Sequence, residues 1–292
     1  MSIKSELEAS FKRGDVVTKL IYINLAVFVL INLLQLISKL FVFSIPLFEY
    51  ISVSSDPYFL LFHPWTLFSY AFVHEGFIHL LFNMLNLYWF GRFFLQFFNQ
   101  KQLVGLYILG ALAGALFYVV AVNLFPYFKE VILYKGLLIG ASASVLAIIT
   151  AVAAYSPNME ITLVLIGRVK LKYIAIVLFF ISSFSVVGAN AGGNLAHLGG
   201  IFAGYLFAIT IKQGKDLTSL INKSIDFFVD LFARKSTMKV SYKGKAMSDA
   251  SWNEQRKVQA EVIDAILDKI KKTGYESLTV EEKKKLFDQS AK

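Results

Sequence analysis

The chain has no cysteine, only four histidines and five prolines among 292 residues, and charged side chains make up just 17% of it. Without cysteine there is no disulfide framework, no thiolate nucleophile and no Cys-ligated metal. A soluble domain carries about 25% charged residues. The low share here, set beside 57% hydrophobic residues, excludes an ordinary soluble domain and points to a polytopic membrane protein. Acidic groups are the scarcer charge, 20 against 29 Lys and Arg, for a net +9. In a soluble protein that excess would point to nucleic acid. In a membrane chain it follows from Lys and Arg gathered on cytoplasmic loops, so no nucleic-acid partner is expected. Lys4, Lys12, Arg13 and Lys19 precede an apolar stretch too long for a cleavable signal, so that stretch reads as a retained first span.

Long apolar runs are what the chain has in quantity. A helical span needs about 20 mostly apolar residues, and six segments qualify: 20–44, 77–98, 102–125, 137–155, 171–187 and 194–213. The stretch 45–76 is aromatic but broken by Pro46, Pro57 and Pro64, and is expected to lie partly embedded in the outer interface. An inside N-terminus places twelve basic residues in the cytoplasm (Lys4, Lys12, Arg13, Lys19, Arg92, Lys101, Arg168, Lys170, Lys172, Lys212, Lys215, Lys223). It leaves three outside, Lys39, Lys129 and Lys135. The expectation is an all-α six-span bundle with both termini cytoplasmic. Gly110 and Gly114, and the series Ala196, Gly200 and Gly204, are small residues at four-residue spacing and predict close helix packing.

Four polar residues stand against this apolar background: His79, Asn83, Ser142 and His197. With six spans, the second, fourth and sixth run in the same direction, and each of the four lies near the start of one of these. They are therefore expected at one depth, a few turns below the outer surface. Polar groups at such depth are costly and mark function. Gly140 precedes Ser142 and permits a tight turn into a helix, whose N-terminal N–H groups are unpaired. His197, buried, is expected to rest neutral and to accept a serine proton. No Asp or Glu lies in spans four or six, so the pattern reads as a Ser142/His197 dyad. His79 and Asn83, four apart, share a helix face and can aim N–H donors at an oxyanion, together with the Ser142 backbone N–H. Each residue alone is more often a packing or interhelical hydrogen-bonding group; Ser144 is read that way, and His63 as a loop histidine. A zinc-protease reading of His74-Glu75-Gly76-Phe77-Ile78-His79 fails, because that motif needs histidines four apart and these are five apart. No metal or cofactor is expected.

These residues resemble the rhomboid family of intramembrane serine proteases over residues 60–205. The matching motifs are His79-Leu80-Leu81-Phe82-Asn83-Met84, Gly140-Ala141-Ser142 and Ala196-His197-Leu198-Gly199-Gly200, with Trp65 and His74 at the spacing of the family's first loop. The resemblance implies a Ser142 nucleophile, a His197 base, and His79 and Asn83 at the oxyanion site. It also implies cleavage of the transmembrane segments of other membrane proteins near their outer ends. Four positions depart from the pattern: Ala143 replaces the last glycine of GxSG, Thr66 follows Trp65, Leu146 replaces an aromatic, and no acidic residue stands near Leu95 and Gln96. The alternative is an inactive rhomboid-like protein that binds membrane helices. A channel or transporter would show paired charges or inverted repeats, and neither is found.

The expected organisation is a membrane domain over 1–213, an interfacial amphipathic helix over 214–235, and a linker with a cytoplasmic helical tail over 236–292. In the tail, Ile263, Ile266, Leu267 and Ile270 form one stripe ended by Gly274, and Thr279-Val280-Glu281-Glu282 predicts a capping box. This tail resembles C-terminal extensions on some bacterial rhomboids, and the expected location of the protein is a bacterial plasma membrane. Gly188-Ala189-Asn190-Ala191-Gly192-Gly193 is expected to form a flexible cap over the site.

Overall fold

The computed structural model describes residues 11, 14–132, 136–163, 166–188, 190–232 and 249–290. Lys4, Lys12, Arg13 and Lys135 of the charge pattern and Ala189 of the expected cap lie outside these, as does the expected linker up to residue 248. The chain divides into two units, 1–233 and 234–292.

In the first unit the helices are α1 (Val16–Leu40), α2 (Leu47–Ile51), α3 (Pro57–Phe62), α4 (Thr66–Ser69), α5 (Phe77–Phe94), α6 (Gln100–Leu124), α7 (Pro126–Ile132), α8 (Ser142–Tyr155), α9 (Leu171–Phe184), α10 (Ala191–Lys212) and α11 (Ser219–Phe232). Each of the six apolar segments overlaps one of α1, α5, α6, α8, α9 and α10. Among the described residues three helices, α1, α6 and α10, are long and apolar enough by length and composition to cross a membrane; α8 and α9 are shorter apolar helices.

Several boundaries differ from expectation, each for a local reason. Helix α1 starts at Val16 rather than 20, because the Asp15 side chain caps it by accepting from the Thr18 N–H at 2.9 Å. The fourth segment is helical only from Ser142. Its first residues form strand β2 (Leu137–Leu138), paired antiparallel with β1 (Val53–Ser54), and then the Gly140 turn. The sixth helix opens at Ala191 instead of 194. A hairpin, β3 (Glu160–Leu163) with β4 (Gly167–Lys170), links α8 to α9. The fold is thus predominantly helical with two short strand pairs, a small departure from all-α.

Helices α6, α8 and α10 form the centre. Where they cross, a side chain on Gly110 or Gly114 of α6 would collide with α8. A Cβ on Gly110 would lie 2.7 Å from the Ala147 Cβ, and one on Gly114 would lie 2.7 Å from the Ala143 Cβ. Gly200 and Gly204 of α10 approach the carbonyl oxygens of Ala143 and Ala147 more closely still. Lipid supplies no hydrophobic drive for helix association, so such backbone contact is the main source of cohesion. Around this centre, α1 docks Val17 onto Gly91 of α5 and sends Asn24 to the Tyr107 hydroxyl on α6. Tyr107 in turn donates to the Ala71 carbonyl at 2.8 Å, which ties the proline-broken stretch 45–76 to the bundle.

Helix α11 begins later than the expected 214–235 segment. Gly214 takes a left-handed φ of 79°, and Asp216 folds back on the Thr218 N–H at 2.8 Å before Ser219 starts the helix. Its polar side meets the start of α6 through Lys101–Asp226 at 2.7 Å, and Asp216, just before the helix, accepts from the Gln102 amide at 3.0 Å. Leu220, Phe227, Phe228, Val229 and Leu231 stay exposed.

The second unit holds α12 (Asp249–Thr273) and α13 (Val280–Ser290). Among its described residues, Ile266 and Leu278 are the buried apolar ones. Gly274 ends α12 with φ 81°, and the capping box forms reciprocally between Thr279 and Glu282. Hydrogen bonding to the Thr279 N–H, and then to Lys269, lowers the Glu282 carboxyl below its ordinary range.

Candidate active site

Ser142 is placed by a turn rather than by a helix face. Gly140 adopts φ 115°, a left-handed conformation that costs glycine nothing, and its N–H donates to the Tyr70 carbonyl at 3.0 Å. A Cβ there would also lie 2.8 Å from the His79 Cε1, so conformation and space both call for glycine. The chain then enters α8 with Ser142 as its first residue, leaving the Ser142 N–H without an intrahelical partner.

His197 on α10 reaches across to this turn. Its Nε2 lies 2.8 Å from the Ser142 Oγ, the distance of a good hydrogen bond. With the ring proton on Nδ1, Nε2 accepts the serine hydroxyl. The register of this pair is set below it, where Gly200 and Gly204 lock α10 against α8.

A cavity of about 610 Å³ opens beside the pair, and His79, Asn83, Ser142 and His197 all line it. The four residues singled out by depth therefore meet at one place. Asn83 is buried and donates one N–H to the His79 carbonyl at 3.0 Å; an amide nitrogen carries a second N–H. Glu75, Phe82, Asn86, Tyr118, strand β2 and residues 190–193 complete much of the wall. Residues 191–193 do so as the first turn of α10, so the second half of the expected flexible cap is helix.

Sequence reasoning gave His74 only a family spacing, yet it lies directly behind the site. It is 1% exposed, its ring meets His79 edge-on at 5.1 Å between centroids, and its Nε2 accepts from the Ala141 N–H at 3.4 Å. Burial first, and then His79, push the His74 imidazole down to about 4, so it is neutral at pH 7. Tyr70 was also unread: its hydroxyl donates to the Ala111 carbonyl at 2.8 Å, anchoring the loop that receives Gly140. Tyr70 is buried, which raises its phenol well above the ordinary range.

The Ala143 departure has a plain structural outcome. Ala143 does not line the cavity; its methyl packs toward Gly114 on α6 and it is 1% exposed. Ser144 likewise faces the core, donating to the Tyr107 carbonyl at 2.6 Å. His63 stays in the loop, stacked on Phe59.

Apolar helices packed through small residues, around a polar cavity with a serine–histidine pair, define an integral membrane protein of hydrolase-like design. The family model for the rhomboid domain matches residues 62–214, more than half of the chain. The chain belongs to the rhomboid family, and is thus an intramembrane serine protease or an inactive homologue of one. Residues 248–292 match a second model, described as a family of unknown function (DUF6576). No curated protein matches the chain.

Proposed function

We propose that this protein is an active intramembrane serine endopeptidase that cuts the transmembrane segments of other membrane proteins near their outer ends. The observation that carries the reading is the 2.8 Å approach of His197 Nε2 to Ser142 Oγ at the wall of a 610 Å³ cavity. In the acylation step Ser142 Oγ attacks the scissile carbonyl carbon while its proton passes to His197 Nε2. The carbonyl oxygen becomes the oxyanion, held by the Ser142 N–H, the His79 ring and the Asn83 amide. As the intermediate collapses, the C–N bond breaks and His197 returns the proton to the leaving amine. Water then enters and its oxygen attacks the acyl carbon while its proton passes to His197; as the C–Oγ bond breaks, His197 returns that proton to Ser142 Oγ and the acid product leaves. The cavity supplies that water, since non-helical backbone at membrane depth is tolerated where it lines a wet space. A substrate helix shields its own peptide bonds, so poorly helical segments are the favoured sites.

The distribution of Lys and Arg supports cytoplasmic termini, which puts the cavity toward the outer leaflet. Cleavage is tested with a fluorophosphonate probe on the full-length protein in lipid. The native protein is expected to label, and Ser142→Ala and His197→Ala to lose at least ~10³-fold in turnover of a transmembrane substrate. A native protein that never labels, or a Ser142→Ala variant that still does, defeats the reading.

A further inference from the structure

Glu75 stands out on the cavity wall as the lining residue that brings a full charge. The other polar lining groups are the Asn83, Asn86 and Asn190 amides, the Tyr118 and Ser142 hydroxyls and the two imidazoles. None of the ion pairs among the described residues involves the Glu75 carboxylate. It immediately precedes Gly76, the extended N-cap of α5, and lies four residues before His79, so it stands on the His79 side of the cavity. The helix dipole at the start of α5 favours a carboxylate there, which accounts for its being tolerated. It does not account for an exposed Glu75 being placed at the wall of the space where substrate lies. A carboxylate at the wall of a cleft acts on whatever charge occupies the cleft.

We propose that Glu75 is a specificity-determining residue, selecting membrane-protein substrates that carry a lysine or arginine beside the scissile bond. The inference rests on the protease reading above. The apolar stem of such a side chain can lie along Leu137, Leu138 and Ile139, which also line the cavity, while its charged end reaches the carboxylate. The same field disfavours an acidic side chain at that place.

The test uses full-length protein in lipid vesicles and one model transmembrane substrate, with the residues flanking the cleavage site changed singly to Lys, Met or Glu. The readout is the ratio of kcat/KM values within each enzyme, with the Met substrate as the common reference. The native protein is expected to prefer Lys over Glu at one flanking position by at least ~5-fold, the scale of a single partly solvated ion pair. Glu75→Gln should bring the ratio toward one, and Glu75→Lys should invert it. A Lys-to-Glu ratio near one in the native protein, or a Glu75→Gln variant that slows all three substrates in the same proportion, overturns the assignment of Glu75 alone. Failure of the native protein to take the fluorophosphonate label overturns the protease reading, and this inference with it.

Discussion

Helices α8 and α9 are both 14 residues long and both apolar, yet they live in different surroundings. Eleven residues of α8 are buried within the protein, whereas α9 buries two, Leu171 and Ser182. The difference lies in side-chain size more than in hydrophobicity. Helix α8 is rich in alanine and meets glycines of α6 and α10 at backbone distance. Helix α9 turns Tyr173, Ile176, Val177, Phe179, Phe180, Ile181 and Phe184 outward. Inside a bilayer an outward phenylalanine is as well solvated as a buried one, so hydropathy cannot separate the two. Small residues can, because only they let backbones approach. Ser142 sits on the helix that cannot shift without moving two neighbours.

The comparison breaks most visibly if α8 is crowded. Ala147→Leu adds bulk where Gly110 and Gly204 already touch and should cost about 3 kcal/mol. Thermal unfolding in detergent, read alongside probe labelling, is the check; a stable, fully labelled variant would mean that this centre is loose. A smaller effect arises from His74, at the foot of α8. Its folded value of about 4 lies below the ordinary 6.5, so the unfolded chain binds the extra proton as pH falls. The stability it confers is complete above 6.5 and is lost toward 4, with a drop of roughly 1 to 2 kcal/mol between pH 6.5 and 5. Unfolding measured across that window should show the slope, and His74→Gln should flatten it. Least affected should be α9: Phe180→Ala exchanges one lipid contact for another and should change stability by less than about 0.5 kcal/mol. A larger loss there would mean that α9 packs against protein as α8 does.

The sequence made the six apolar helices legible because each is a long hydrophobic run, and it made the site legible because four polar groups interrupt those runs. His79, Asn83, Ser142 and His197 line one cavity, as a common depth requires. The hairpin Glu160–Lys170 was missed although Glu160, Ile161, Thr162 and Leu163 alternate polar and apolar side chains, a period-two signal read only as a charged loop. His74, Tyr70 and Glu75 were illegible as neighbours of Ser142 for another reason. They belong to a stretch without periodicity, whose position depends on docking through Tyr107 and Asn24, and long-range docking leaves no local pattern. The start of α10 was misplaced because Gly192 and Gly193 look like a loop, although the segment is helical from Ala191.

The shortness of α9 has a consequence for the surrounding lipid. Fourteen residues rise only about 21 Å at 1.5 Å each, against a hydrocarbon thickness of about 30 Å. A helix of this length that crossed a bilayer would require the lipid beside it to thin, and the mismatch would favour thinner membranes over thicker ones.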